Sequence, residues 1–152
     1  ASSDAAVEGA DVVITATNAS EPVFDGDRLE PGTHVTAMGQ YDPEKRELDA
    51  RTVARSKYVP DLRDRAFSDA GSFLQALEEG AVEEDHVHAE LGEVVAGVEP
   101  GREADDEVTV FDSGGTAIET VAAAYMLYEK AVEADVGSHI ELFPASEALT
   151  GE

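Results

Sequence analysis

Three clusters of small and polar residues stand where a ligand could approach the backbone. They are residues 15–18 (TATN), 39–40 (GQ) and 113–115 (SGG), and each follows a short apolar run. Small residues let a ligand come close to the main chain, and the N–H groups of a Gly-rich turn before a helix can hold a phosphate. Ordinary strand ends and turns of any α/β domain have the same composition, so spacing alone leaves both interpretations open.

The histidines give a weaker indication of metal chemistry. His86 and His88 would share one face of a strand and could bind a metal there. The sequence offers no further ligand at a suitable spacing, and a solvated pair is the alternative. His34 stands alone in a strand-like run, which is typical of a hydrogen-bonded core residue. We predict no metal site, and the lack of cysteine excludes a thiolate site or a disulfide.

The elements that would position these clusters alternate between short strands and helices. Residues 12–14 (VVI) and 34–38 (HVTAM) are typical of strands covered on both faces of a parallel sheet. Ligands of such sheets bind outside the carboxyl ends of the strands. Further strands are predicted at 57–59 and 108–111, and the clearest helix at 116–134. The residues alone therefore predict part of an α/β nucleotide-binding domain, although neither G-x-G-x-x-G nor the P-loop motif occurs.

The excess of acidic residues indicates the solution conditions in which the protein works and the kinds of partner it does not bind. The chain of 152 residues carries 34 acidic and 10 basic side chains, a net charge of −24. Self-repulsion at this density destabilises a compact state, and salt screens it. The composition predicts a protein of a salt-rich cytoplasm and argues against nucleic acid or an anionic membrane as partner. No run is long enough to span a bilayer and no signal peptide is evident, so we expect a cytoplasmic protein.

Four blocks of the sequence resemble the ornithine cyclodeaminase/mu-crystallin family. They are residues 9–39, 45–49 (KRELD), 89–102 and 109–131, in the family's order and with similar gaps. The resemblance implies two-domain dimers that use NAD(P) in ornithine cyclodeamination, alanine dehydrogenation or ketimine reduction. It covers only the later part of such a protein. The phosphate loop, the residue that selects the cofactor ribose and most substrate-binding residues would lie upstream.

The resemblance also implies which residues contact the cofactor and the substrate. The strand-end segment along the cofactor, the segment beside the nicotinamide and a cofactor-contacting serine match Thr15, Ala16, Thr17, Met38, Gly39 and Ser113. Gly114 would lie next to the substrate side. In cyclodeaminase members an aspartate two residues after the glycine matched by Gly39 acts as acid/base.

Here that position holds Tyr41, and Asp42 follows it. A slip of one residue before Pro43 would bring Asp42 into the site, whereas the KREL block aligns without a gap. The mismatch places cyclodeamination in doubt and affects hydride transfer to or from an imine less. The catalytic candidates are therefore Tyr41 and Asp42.

The resemblance predicts an α/β fold, the later half of a Rossmann-type NAD(P)-binding domain. Residues 1–108 would form that partial domain, 109–135 a strand and helix that return to a dimerisation domain, and 136–152 a tail. The expected activity is hydride exchange between NAD(P) and the α-carbon of an amino acid through an imine. The expected partners are an amino-acid or imine substrate and either a second copy or a missing N-terminal half. A non-catalytic remnant or assembly subunit is the alternative function, and an unrelated acidic binding domain is a third.

Overall fold

The computed structural model describes residues 2–38, 41–138 and 140, and divides into two compact units, Ala1–Thr116 and Ala117–Glu152. The strands of the first unit are β1 (Val12–Ala16), β2 (His34–Met38), β3 (Lys57–Pro60) and β4 (Thr109–Ser113). Its helices are α1 (Ser3–Val7), α2 (Ala50–Arg55), α3 (Arg63–Ala66), α4 (Gly71–Glu78) and α5 (Leu91–Val95), with 3-10 turns at Gly26–Arg28 and Glu84–His86. The second unit contains α6 (Ala117–Glu133).

The strands form one parallel sheet in the order β1-β2-β4-β3. This arrangement confirms the α/β fold class predicted from the sequence. Side chains cap the N-termini of two helices: Ser2 Oγ accepts the Ala5 N–H at 3.2 Å, and Asp49 Oδ1 accepts the Thr52 N–H at 2.7 Å. Such caps satisfy N–H groups that have no partner within the first helical turn.

One face of the sheet is covered. Its residues alternate along each strand, as the pleat requires, and the apolar ones among them share the main hydrophobic core with residues of α2 and α4. We call it the covered face; its sheet residues are Val13, Thr15, Val35, Ala37, Tyr58, Pro60, Val110 and Asp112. All of them are buried. The covered face therefore holds most of the core of this unit.

The opposite face of the sheet is partly bare. We call it the open face; its sheet residues are Val12, Ile14, Ala16, His34, Thr36, Met38, Lys57, Val59, Thr109, Phe111 and Ser113. Helix α5 borders it near β3 and β4, where Leu91 and Val94 line a cavity with Phe111. Near β1 and β2 the side chains of Val12, Ile14 and Met38 are 56%, 66% and 44% exposed. The prediction that the strands are covered on both faces thus holds for one face within the described residues.

The last strand belongs to the sheet and not to the unit that follows it. The sequence boundary placed residues 109–113 with the helix, whereas β4 pairs with β2 and β3 and the first unit ends at Thr116. Val110 and Asp112 of β4 are buried on the covered face, which fixes the strand there. Helix α6 buries none of its residues. In the described part of the chain, none of the helices combines the length and the apolar character needed to cross a bilayer.

Candidate active site

The carboxyl edge of the sheet brings three predicted cofactor residues into one row. In the strand register Ala16 pairs with Met38, and Met38 pairs with Ser113. All three end their strands and lie on the open face. Neighbouring parallel strands lie about 4.8 Å apart, so a flat ligand can span the row. Residues distant in sequence are therefore collected where α/β sheets bind ligands.

A shallow cavity adjoins this row. It has a volume of about 260 Å³ and is lined by Ala16, Thr17, Asn18, Met38 and Tyr41. The Tyr41 hydroxyl lies 3.4 Å from Asn18 Oδ1. The structure thus places Tyr41 at the end of β1 and β2 beside the residues that the resemblance assigns to the cofactor. Gly39, also assigned to the cofactor, lies outside the described residues.

A buried carboxylate on the covered face holds the end of β1. It was not identified from the sequence. Glu47 is 1% exposed, and its Oε2 accepts a hydrogen bond from Thr15 Oγ1 at 2.7 Å. Its Oε1 accepts the backbone N–H of Thr17. The backbone N–H groups of Glu47 and Leu48 in turn donate to Ser72 Oγ at 3.2 and 3.1 Å. Thr15 is therefore turned toward the covered face, and only its backbone is available to a ligand on the open face.

The turn after β4 is held in a similar way by Asp61. The backbone N–H groups of Gly114 and Gly115 both donate to Asp61 Oδ2, at 2.8 and 3.0 Å. These are the N–H groups that the sequence interpretation offered as a phosphate cradle. That interpretation is wrong for this turn, because a carboxylate already accepts from both and would repel a phosphate. Gly114 itself is half-buried at the end of the row.

Arg65 joins Asp61 to the last turn of β4. Its Nε lies 2.6 Å from Asp61 Oδ1, and its Nη2 lies 2.5 Å from Asp112 Oδ1 and 2.9 Å from the Asp112 carbonyl oxygen. Burial lowers the pKa of Arg65, but the carboxylates of Asp112 and Asp61 raise it overall, so the guanidinium stays charged. The Tyr58 hydroxyl donates to Asp112 Oδ2. Burial, and then the Asp112 carboxylate, raise the pKa of Tyr58 well above its ordinary value, so it remains a donor.

The two catalytic candidates occupy different surroundings. Tyr41 is 57% exposed at the cavity. Asp42 Oδ1 instead accepts the backbone N–H of Glu44 at 3.0 Å, and its Oδ2 lies 3.8 Å from Lys45 Nζ. The turn that begins at Asp42 therefore uses its carboxylate as a local cap. The Tyr41 phenol therefore lines the cavity, and the Asp42 carboxylate is engaged in its own turn.

The histidines are not brought together as ligands. His86 Nε2 lies 2.8 Å from the Val53 carbonyl oxygen, and His88 Nε2 lies 2.8 Å from that of Pro100. The two are half-buried and bonded to the main chain, which differs from a solvated pair. His34 is half-buried, with Nδ1 at 2.8 Å from Thr109 Oγ1. Among the residues that the structure describes, no cluster of three or more histidine or acidic side chains could hold a metal ion.

The residues of the row fit a nicotinamide ring. Ala16 adds little bulk, and the exposed Met38 thioether offers a polarisable apolar surface to an aromatic ring. Asn18 and Tyr41 line the same cavity with groups that can bond a carboxamide. The edge does not fit the pyrophosphate of such a cofactor, because Asp61 occupies the glycine N–H groups. The row thus offers groups suited to a nicotinamide, and the turn after β4 does not offer its N–H groups to a phosphate.

A parallel sheet with ligand-accessible strand ends is consistent with part of a Rossmann-type domain, and comparison with known proteins identifies the family. Residues 1–135 match the Ornithine cyclodeaminase/mu-crystallin family, to which the chain belongs. It is 40% identical over 142 residues to the Delta(1)-pyrroline-2-carboxylate reductase of Bacillus cereus, with 93% of this chain and 43% of the relative covered. The resemblance stated from the four sequence blocks is confirmed.

Two solved structures share the fold. One is the Delta(1)-pyrroline-2-carboxylate reductase of Thermococcus litoralis in complex with NADH and L-proline, with a TM-score of 0.81 and 42% identity over 91% of this chain and 43% of that one. The other is an archaeal alanine dehydrogenase dimer with bound NAD, with a TM-score of 0.77 and 39% identity over 94% and 44%. The chain spans less than half the length of these relatives.

Proposed function

We propose that this chain is the later part of an NAD(P)-dependent enzyme that exchanges hydride with the α-carbon of an amino acid through an imine. The observation that carries the proposal is the row Ala16, Met38 and Ser113, set in register beside the Tyr41 cavity. Relatives that share this sheet are an imine reductase with NADH and an amino-acid dehydrogenase with NAD. The substrate class is a small amino acid or its imine.

The chain's own residues have distinct tasks in this proposal. Met38, Ala16 and Ser113, which lie side by side in the strand register, would hold the nicotinamide end of the cofactor. Gly114 follows on the substrate side. Thr15 and Thr17 keep the end of β1 in place through Glu47. When bound, the nicotinamide supplies or accepts the hydride.

Tyr41 favours imine reduction or amino-acid dehydrogenation over ornithine cyclodeamination. A phenol is a poor base at neutral pH, whereas a carboxylate is ionised and accepts a proton from an amine or water. Asp42 is engaged with Glu44 N–H and lies near Lys45. Reduction of a preformed imine has less need of a base that deprotonates an amine. A lyase activity on ornithine is therefore not proposed.

The test uses the full-length enzyme and the variants Tyr41→Phe and Asp42→Asn. We expect the wild type to oxidise NADH or NADPH with a cyclic imine and to release little proline from ornithine. Asp42→Asn should retain the reductase rate within about twofold, because an exposed cap contributes little beyond the local turn. A loss of about 10²–10⁴ in Asp42→Asn, with Tyr41→Phe unaffected, would instead identify Asp42 as the general acid/base. Wild-type conversion of ornithine to proline, unchanged in both variants, would contradict both placements.

The remaining surfaces support an assembly that this chain does not complete alone. Helix α6 exposes Ile118, Val121 and Tyr125 at 77%, 66% and 60%. We propose that residues 117–135 pack on a dimerisation domain, and that the whole enzyme is a homodimer like the alanine dehydrogenase. Sedimentation of the full-length protein tests this, and a monomer at all concentrations would contradict it. A non-catalytic assembly subunit would show the dimer without any imine reduction.

The surface charge favours a salt-rich cytoplasm as the setting. A net charge of −24 on 152 residues is screened effectively only at high ionic strength. Fractionation of the source cells tests the location, and recovery of the protein with envelope fractions would contradict it.

A further inference from the structure

The turn after β4 is fixed by a buried ion cluster. We define the Asp61 cluster as Asp61, Arg65, Asp112 and Tyr58. The side chains of Arg65, Asp61 and Asp112 are 11%, 2% and 1% exposed. Asp61 comes from the end of β3, Arg65 from α3 and Asp112 from β4. The cluster thus connects three elements at the edge where the row of cofactor residues ends.

The cluster determines the backbone on both sides of Ser113. Before Ser113, Arg65 Nη2 donates to the Asp112 carbonyl oxygen at 2.9 Å. After Ser113, Asp61 Oδ2 accepts the N–H groups of Gly114 and Gly115 at 2.8 and 3.0 Å. Asp61 and Arg65 are themselves joined at 2.6 Å. The side chains of one charged pair therefore contact the backbone on both sides of Ser113, and the Asp61 N–H also donates to the Asp112 carbonyl oxygen at 3.1 Å.

Both glycines suit this arrangement. A Cβ on Gly114 would lie 2.2 Å from Arg65 Cδ, so only glycine leaves room for the Arg65 side chain against the turn. Gly115 has φ +77°, in the left-handed region that side chains disfavour. Gly114 and Gly115 are therefore both suited to a turn that packs against the Arg65 side chain.

The cluster is expensive to maintain as a purely structural device. Burying charged groups is unfavourable before they are paired, and apolar packing often stabilises a fold as well or better. Two carboxylates share one guanidinium here. Their hydrogen bonds fix the conformation of a turn at the carboxyl edge of the sheet. Such fixed polar contacts reduce the ordering cost that a ligand must otherwise overcome when it binds.

We propose that Asp61 and Arg65 are positioning residues, which hold the Ser113–Gly115 turn in the conformation that cofactor binding requires. The inference rests on the proposed function, since it takes the row at the carboxyl edge as the cofactor surface. It adds two side chains that do not touch the cofactor themselves. Their effect passes through the backbone of Ser113, Gly114 and Gly115.

The first experiment measures the turn in the 152-residue chain without any ligand. In ¹H–¹⁵N spectra, Asp61→Asn should move the Gly114 and Gly115 amide resonances upfield, because their carboxylate acceptor is lost. Arg65→Lys should move them in the same direction while keeping a positive charge. Asp49→Asn is the matched control, since Asp49 also accepts two backbone N–H groups, from Gly26 at 2.9 Å and Thr52 at 2.7 Å, away from this turn.

The second experiment measures NAD(P)H dissociation constants by fluorescence in the full-length enzyme, at a temperature where all variants are folded. Asp61→Asn and Arg65→Lys should each raise the constant about tenfold, the equivalent of one charged hydrogen bond. Asp49→Asn should leave the dissociation constant unchanged, even if it lowers the melting temperature as much as the other two substitutions do.

The outcomes separate the two proposals. A wild-type enzyme that does not bind NAD(P)H would contradict the proposed function and this inference together. A wild-type enzyme that binds, with Asp61→Asn and Arg65→Lys binding equally well, would contradict only the inference. Unmoved Gly114 and Gly115 resonances in both variants would also overturn it.

Discussion

The covered and open faces of the sheet differ in their surroundings far more than in their chemistry. Along β1, Val13 is 8% exposed on the covered face, while its neighbours Val12 and Ile14 are 56% and 66% exposed on the open face. All three are aliphatic and β-branched, as is typical of strands buried on both sides. The apolar sequence of β1 therefore predicts that other elements pack on both faces of the sheet. The described residues cover only one of the two faces completely.

The edges of the sheet show the same contrast. The outer side of β3 is covered by the segment around Val87, which bridges to Tyr58, and His88 N donates to the Tyr58 carbonyl oxygen at 3.0 Å. Strand β1 has no strand on its outer side among the described residues. Proteins rarely leave an apolar edge strand open, because it invites pairing with another chain. The open face and the β1 edge are therefore where we expect the rest of the enzyme to pack.

Cofactor affinity should show the largest difference. We expect the 152-residue chain alone to bind NAD(P)H at least about a hundredfold more weakly than the full-length enzyme. The missing phosphate contacts account for this, because hydrogen bonds to charged groups contribute about 1.5–3 kcal/mol each. Calorimetry on both proteins measures the ratio. Micromolar binding by the chain alone would show that the row from Ala16 to Ser113 suffices for NAD(P)H binding. It would also show that binding does not require another segment to cover the open face.

Matched truncations should separate the two faces by stability. Val35→Ala, at a fully buried site on the covered face, should lower the free energy of unfolding of the chain by about 2 kcal/mol through lost burial and a residual cavity. Ile14→Ala, on the open face, should change it by less than about 0.5 kcal/mol. Urea unfolding measures both. In the full-length enzyme the cost of Ile14→Ala should rise toward that of Val35→Ala, and equal small costs in both proteins would show that nothing covers the open face.

Salt should produce a smaller and more general effect. We expect the melting temperature of the chain to rise between low salt and molar KCl, because screening reduces the repulsion of a net charge of −24. Circular dichroism across the titration measures it. Screening does not cover an apolar surface, so binding of a hydrophobic dye to the open face should persist in molar KCl. Equal melting temperatures at low salt and in molar KCl would contradict the role of charge. Loss of dye binding in molar KCl would contradict the exposure of an apolar surface on the open face.

Local patterns in the sequence predicted the strands and the longest helix. The apolar runs at 12–14 and 34–38 and the helix at 116–134 each depend on neighbours a few residues away. Helix α4 starts at Gly71, where a Cβ would lie 1.9 Å from the Lys45 carbonyl oxygen. That close contact is made by residues distant in the chain, so no local pattern reports it.

The side chains of Glu47 and Arg65, which hold the site, were not predicted from the sequence for the same reason. Glu47 reaches Thr15 across 32 positions, and Arg65 reaches Asp112 across 47. With 34 acidic residues in the chain, a carboxylate carries no signal until its partners are known. The spacing of Asp61 and Arg65, four apart just after a strand, was the only local sign of the pair.

The sequence by itself determined the family, the parallel α/β character and the residues that end each strand, because these depend on local composition and on motifs read in order. Tertiary structure alone decided that Ala16, Met38 and Ser113 share a row, since strand register is set by pairing across the sheet. It also decided that Tyr41 lines the cavity while Asp42 caps its own turn. Adjacent residues differ in this way because a side chain's surroundings are set by what folds against it and not by its position in the chain.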